Sequence, residues 1–135
     1  MEKYLRLSVH QLVDFLLRTG DIDNRVFNRS TMQEGSRLHS VYQSKQGSSY
    51  LSEYPLRKDF TVNEVTVTLE GRADGIIKHK NGDYTIDEIK TTVSPLEDFI
   101  KDNEEWHLGQ AKCYALMFAI EQNLSVIGVR MTYIR

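Results

Sequence analysis

Cysteine, proline and long apolar segments are all scarce in this sequence. The chain has 135 residues, with one cysteine, Cys113, and two prolines. A single thiol excludes a disulfide within the chain, and it excludes a zinc finger or an iron–sulfur cluster built from several cysteines. No apolar run approaches the length of a membrane span, and the N-terminus lacks a signal-peptide pattern. We therefore expect a cytoplasmic protein without a membrane partner.

The sequence also lacks a strong excess of either charge. It has 17 lysines and arginines against 19 acids, which gives a formal net charge of −2. There is thus no overall electrostatic attraction to nucleic acid, so a DNA-binding protein of this composition needs a local basic groove or a bound cation. Hydrophobic residues at 40% and charged residues at 27% are typical of a globular protein with a packed core.

The hydrophobic pattern predicts two helices, then several strands, then a helix and a last strand. Residues 8–11 form a capping box for a helix that ends near Gly20, and residues 30–34 offer a second capping box for a helix that fades near Gly47. Residues 3–7 are either a short strand or a lead-in. Strands are predicted over residues 50–62, 64–69, 71–79, 83–90 and 125–135, with a loop over 91–103 and a helix over 104–122.

This order of elements predicts an α+β protein, and the length predicts one domain over residues 1–135. The chain ends within a strand-like segment, as a domain excised from a longer protein would. No internal repeat and no low-complexity tract interrupts the pattern.

Charged residues inside a predicted strand are the strongest functional signal. Residues 86–90 read Ile-Asp-Glu-Ile-Lys, and strand alternation places Glu88 and Lys90 on the same face. Charged residues in a sheet core are usually paired, coordinate metal or take part in chemistry. A second acid, Asp74, lies one hairpin upstream. Two acids and a lysine on adjacent strands predict a divalent-metal site beside a phosphodiester, with Asp87 on the opposite face and outside the site.

The hairpin between these strands decides whether the two acids face the same way. A two-residue loop would place Asp74 opposite Ile89, on the wrong face. A three-residue loop over residues 80–82 places Asp74 opposite Glu88 instead. That loop needs a positive φ at its third residue, and Gly82 stands there. We therefore predict the three-residue loop.

Four pieces of the sequence resemble the PD-(D/E)xK nuclease superfamily. Asp74 followed by residues 88–90 (Glu-Ile-Lys) resembles its acidic strand motif. The closer resemblance is to the RecB-like and CRISPR-adaptation branch, which includes nuclease domains of helicases. Residues 35–39 (Gly-Ser-Arg-Leu-His) resemble the upstream helix of that branch, and residues 110–114 (Gln-Ala-Lys-Cys-Tyr) resemble its downstream helix. Two departures are the alanine at position 73, where proline is usual, and the absence of cluster-binding cysteines.

The resemblance implies a restriction-endonuclease-like core of order α-β-β-β-α-β, with a central mixed sheet flanked by helices. It implies Asp74, Glu88 and Lys90 as catalytic residues. It implies that Mg²⁺ or Mn²⁺ is bound by His39, Asp74 and Glu88, helped by the backbone carbonyl of Ile89. Lys90 would orient or activate the attacking water and stabilise negative charge on the phosphate.

The resemblance also implies that Gln110 and Tyr114 contact DNA or brace the lysine. The expected activity is that of a metal-dependent deoxyribonuclease in DNA repair or recombination, most often an exonuclease, with DNA and a helicase domain or subunit as partners. Two alternatives stay open. One is a nucleic-acid-binding or interaction module that kept the fold and lost catalysis, and the other is a protein-interaction domain with no nucleic-acid role.

Overall fold

A computed structural model describes residues 3–17, 29–91 and 96–134, and it describes the side chains of 3–17, 35–91 and 104–134. In chain order the elements are β1 (Lys3–Ser8), α1 (Val9–Leu17), α2 (Arg29–Ser44), β2 (Tyr50–Val62), β3 (Val65–Lys78), β4 (Tyr84–Thr91), α3 (Leu96–Gln122) and β5 (Gly128–Ile134). The predicted α+β class is confirmed, since these residues form one mixed five-stranded sheet with three helices. The series from α2 to β5 has the expected order α-β-β-β-α-β.

The long strand β3 organises the sheet. One of its edges pairs with β2 along almost its whole length, in an antiparallel hairpin. The opposite edge is shared by two strands in succession: β1 pairs in parallel with residues 65–70, and β4 pairs antiparallel with residues 75–78. Parallel pairing of β4 with β5, connected through α3, completes the sheet. Residues 71–74 of β3 therefore lie between the ends of β1 and β4.

The predicted capping box starts α1. Ser8 N donates to Gln11 Oε1 at 2.9 Å, and Gln11 N donates to Ser8 Oγ at 3.0 Å. Val9 and Val13 are buried, and a Cβ on Gly109 of α3 would lie 3.1 Å from Val13 Cγ1. The lack of a side chain at Gly109 thus lets the two helices approach closely.

The hydrophobic core lies between the sheet and the helices α1 and α3. Its members are Val9, Val13, Leu56, Leu69, Ala73, Ile76, Ile86, Tyr114, Ala115, Met117 and Phe118. Phe118 packs edge-on against Tyr54 of β2 and Tyr84 of β4, with ring centroids 5.4 and 5.0 Å apart. The core therefore fixes α3 across three strands. Among the described helices, none combines the length and apolarity that crossing a bilayer requires.

The predicted loop over residues 91–103 is wrong in its second half, because α3 already begins at Leu96. The sequence explains this earlier start. Residues 95–98 read Pro-Leu-Glu-Asp, and a proline followed by acids is a sequence signal for the start of a helix.

Two predicted strands, 64–69 and 71–79, form the single strand β3, and residues 3–8 are a strand rather than a lead-in. The predicted end of α1 at Gly20 lies outside the described residues. So do the side chains that would cap α2.

Candidate functional site

The hairpin joining β3 and β4 has the predicted three-residue loop. Ile76 pairs with Ile86, which is the register that this loop requires. His79 N donates to Asp83 O at 2.8 Å, and Gly82, with φ +92°, donates to His79 O at 3.0 Å. This register brings the two candidate acids level with each other across the hairpin.

Asp74 lies in the gap between β1 and β4. The β1 pairing ends at Glu70, and the β4 pairing begins at Gly75, so Asp74 belongs to neither ladder. Its side chain is held from the neighbouring strand instead, because Ile89 N donates to Asp74 Oδ2 at 2.8 Å. The interruption of the sheet therefore leaves this residue outside both ladders, while one hydrogen bond fixes the orientation of its carboxylate.

The strand β3 turns over at this gap, which means that its side chains exchange the two faces of the sheet. In a regular strand, residues four apart face the same side. However, a Cβ on Gly71 would lie 2.8 Å from the ring of Tyr114 on α3, whereas a Cβ on Gly75 would collide with the hydroxyl of Tyr50. Tyr50 binds Asp87, which faces away from α3. The alternation of β3 therefore reverses between the two glycines.

The neighbouring strand β2 turns over at the same level. Tyr50 lies on the face away from α3, but Tyr54, four residues later, packs against Phe118 of α3. Between them Glu53 has φ +52°, a left-handed conformation that is uncommon outside glycine. The β2–β3 ladder omits the pair of Glu53 and Asp74. Both strands thus rotate together, and two acids stand at the point of rotation.

His39 reaches this point from α2. One turn earlier in the helix, a Cβ on Gly35 would lie 2.9 Å from Thr91 Oγ1, so the missing side chain lets α2 approach the end of β4. His39 Nδ1 lies 3.9 Å from Asp74 Oδ1. The resemblance predicted His39, Asp74 and Glu88 as side-chain ligands of one cation. The structure brings His39 and Asp74 together, whereas Glu88 lies outside their group of closely spaced ligand atoms.

Glu53 joins this pair, which the sequence analysis did not anticipate. One ligand atom each from His39, Glu53 and Asp74 lie within 4.8 Å of one another. Gln43 holds the arrangement, because its Nε2 donates to Glu53 Oε1 at 2.9 Å and to the backbone oxygen of Asp74 at 2.8 Å. No local signal in the sequence marks Glu53, since its position depends on how β2 and β3 align.

Glu88 approaches Asp74 from within the sheet. It is 3% exposed, its Oε1 lies 3.3 Å from Lys90 Nζ, and its Oε2 has no hydrogen-bond partner. Burial, and then the neighbouring carboxylate of Asp74, raise the pKa of Glu88 to about 8, against the opposing influence of Lys90. An unpartnered buried carboxylate oxygen beside a second carboxylate suits a divalent cation, which would neutralise both. The predicted contribution of the Ile89 carbonyl stays a prediction.

Lys90 is braced by two helices. Its Nζ donates to Gln110 Oε1 at 2.6 Å, and Gln110 Nε2 lies 3.0 Å from His10 Nδ1, which accepts. Burial and the charge of Lys90 lower the pKa of His10, which favours this neutral, accepting imidazole. The ammonium also lies 5.5 Å from the centroid of the Trp106 ring. Gln110 thus has the contacts of the predicted brace, and His10 is a further member that the sequence analysis missed.

Tyr114 lies next to the acids but within the core. It is 2% exposed, and its ring packs where a side chain on Gly71 would otherwise stand. Burial, followed by the charges of Glu88 and Asp74, raises the pKa of its hydroxyl. Its predicted contact with DNA, like that of Gln110, stays a prediction.

Asp87 is the buried acid on the opposite face of β4, as predicted. Its carboxylate accepts hydrogen bonds from Tyr42 at 3.1 Å, Tyr50 at 2.8 Å, Arg130 at 3.0 Å and Thr132 at 2.5 Å. Burial alone would raise the pKa of Asp87, but the bonds from Arg130, Thr132 and Tyr50 outweigh burial and lower it. This network ties β4 to β5, to β2 and to the helix that carries His39.

Comparison with known proteins gives the fold but no family. No family model matches the chain, and no curated protein sequence matches it significantly. Ten solved chains match it in structure. One of these, the crystal structure of SSO0001, aligns with a TM-score of 0.61 and 23% sequence identity over 84% of this chain and 57% of that chain. At this identity the likeness establishes the fold alone, and the chain spans little more than half the length of that solved structure.

Proposed function

We propose that the protein is a divalent-metal-dependent deoxyribonuclease of the PD-(D/E)xK type, which hydrolyses phosphodiester bonds in DNA. The observation that carries the proposal is the Glu88 carboxylate, which is buried, has one oxygen without a partner, and lies between Asp74 and Lys90. A carboxylate of this kind is expensive to bury unless a cation joins it. The resemblance of the surrounding motifs to that superfamily, together with the α+β fold, supports the same proposal.

The donors present fit a hard divalent cation. Asp74 and Glu88 offer carboxylate oxygens, His39 offers one imidazole nitrogen, and Ile89 would add its carbonyl. Oxygen donors suit Mg²⁺ and Mn²⁺, and the single imidazole favours Mn²⁺. When bound, such a cation supplies Lewis-acid stabilisation of charge on a phosphate oxygen and lowers the pKa of a water molecule.

Lys90 is suited to orient the attacking water and to stabilise negative charge on the phosphate. Its side chain is 15% exposed, and Glu88 and Gln110 take two of the three directions in which an ammonium donates. The third N–H is left to orient water or to stabilise negative charge on a phosphate oxygen. Because Gln110 is itself fully buried, it fixes the orientation of the Lys90 ammonium before any substrate binds.

The proposal includes DNA as the substrate in the cytoplasm, and a helicase domain or subunit as a partner. The substrate and the partner rest on the resemblance to the RecB-like branch. The cytoplasmic location is the expectation from a sequence without a signal-peptide pattern. A cation at the site would also supply the attraction to phosphate that a net charge of −2 does not provide.

A cleavage assay on linear and circular DNA tests the proposal. We expect cleavage with Mn²⁺ or Mg²⁺, none with EDTA, and at least about a hundredfold loss of rate in Asp74→Ala and in Lys90→Ala. Lys78→Ala, a lysine at the exposed end of the same hairpin, is the matched control and should cleave normally. Degradation of linear DNA with circular DNA left intact would identify an exonuclease.

Equal cleavage by the wild type and both site variants would refute the assignment. DNA binding with a steep salt dependence but no cleavage would instead favour the inactive nucleic-acid-binding module. Absence of both binding and cleavage would favour the protein-interaction domain.

A further inference from the structure

Glu53 occupies a position for which the motifs of the chain give no role. It belongs to β2, outside the four pieces that resemble the nuclease superfamily, yet its carboxylate lies within 4.8 Å of ligand atoms of His39 and Asp74. We propose that Glu53 is a ligand of the same divalent cation centre, which would then draw one side chain each from α2, β2, β3 and β4. This inference rests on the metal centre of the proposed function.

Two observations support a ligand role over a solvated surface acid. The first is that Gln43 fixes Glu53, since one amide nitrogen donates both to Glu53 Oε1 and to the backbone of Asp74. A merely solvated glutamate needs no such tie. The second is the buried Glu88 oxygen without a partner, on a carboxylate that interacts with Asp74, one of the three members of this group. The buried carboxylate of Glu88 and the more open carboxylate of Glu53 thus both adjoin Asp74.

The turnover of the two strands explains why Glu53 can reach the site. At the ordinary φ of a strand, the alternation of β2 would continue unbroken past this residue. With φ +52° at Glu53, both strands rotate and the two acids become neighbours. Such conformations persist when the surroundings enforce them, and they concentrate at ligand sites.

Arg72 is the competing partner. Its Nε lies 3.9 Å from Glu53 Oε2, at the outer limit of an ion pair, and its side chain is 68% exposed. Exposed pairs of this kind contribute little. The ion pair therefore leaves Glu53 available to a cation.

The test measures Mn²⁺ affinity of the full chain by calorimetry, with no DNA present. Glu53→Gln removes the charge, and Glu53→Gly removes the carboxylate while easily adopting a positive φ. We expect both variants to bind Mn²⁺ at least about tenfold more weakly than the wild type. The matched control is Glu64→Gln, since Glu64 is an exposed glutamate with φ +67° in the same hairpin, and it should bind as the wild type does.

The variants also separate this inference from the proposed function. Wild-type affinity in Glu53→Gln and Glu53→Gly, with loss in Asp74→Asn, would overturn the role of Glu53 and leave the metal centre intact. Equal weakening in Glu64→Gln would also overturn it, because the effect would then be one of general charge. Thermal unfolding followed by circular dichroism in EDTA shows that each variant is folded. If the wild type binds no Mn²⁺, both proposals fail together.

Discussion

Asp87 and Glu88 are consecutive acids on one strand, both almost fully buried, and they face opposite sides of the sheet. Asp87 accepts hydrogen bonds from four side chains, and its pKa is lowered. Glu88 forms an ion pair with Lys90, its second oxygen has no hydrogen-bond partner, and its pKa is raised. Burial alone does not distinguish them. The donors around each carboxylate do: Asp87 on one face is fully satisfied as a structural acid, and Glu88 on the other face is the acid that we propose as a metal ligand.

The largest effect should come from removing the structural acid. Asp87→Ala removes the carboxylate that accepts hydrogen bonds from Tyr42, Tyr50, Arg130 and Thr132, and we expect a loss of about 3–5 kcal/mol in the free energy of unfolding. Urea unfolding in EDTA measures it. Under the same conditions Glu88→Gln should be neutral or stabilising. Equal losses of unfolding free energy in the two variants would show that the two acids do not differ in their structural role.

The pH dependence of stability sharpens the contrast. Because the pKa of Glu88 is raised from 4.5 to about 8, the folded state without metal binds more protons than the unfolded state between these values. Its stability should therefore fall, by a few kcal/mol at most, as pH rises through this window. Urea midpoints in EDTA at pH 5, 6.5 and 8 would show the decline. Glu88→Gln should flatten it, and a curve unchanged by that substitution would assign the titration to another group.

A smaller effect tests the turnover of the strands. Gly75→Ala places a methyl group where the Tyr50 hydroxyl crosses to Asp87, and we expect a loss of about 1–3 kcal/mol. The double variant Gly75→Ala/Tyr50→Ala should lose little more than Tyr50→Ala alone, since the clash is then removed. Additive losses in this cycle, measured by urea unfolding, would mean that the two residues do not meet.

Short stretches of the sequence were sufficient to predict part of the candidate site. The loop over residues 80–82 sets the hairpin register through Gly82, and that register brings Asp74 level with Glu88. The capping box at Ser8 sets the start of α1 for the same reason, because its bonds join residues three apart. Such features depend on few neighbours, so the sequence alone specifies them.

The site residues that the sequence did not predict depend on contacts between distant segments of the chain. Glu53 enters the site through the alignment and rotation of two strands, and His10 enters through the docking of α1 on α3. The start of α3 at Leu96 is not fixed by local sequence, because residues 96–103 are polar enough to be typical of a loop.

The hydrogen bond between Gln110 and His10 joins positions one hundred apart in the chain. A polypeptide leaving the ribosome N-terminus first would present His10 and both acids long before α3 is complete. The proposed catalytic lysine would therefore stay without its Gln110 contact until α3 emerges and docks. Such an order of assembly would keep the proposed activity toward nucleic acid off until α3 has been synthesised and has docked.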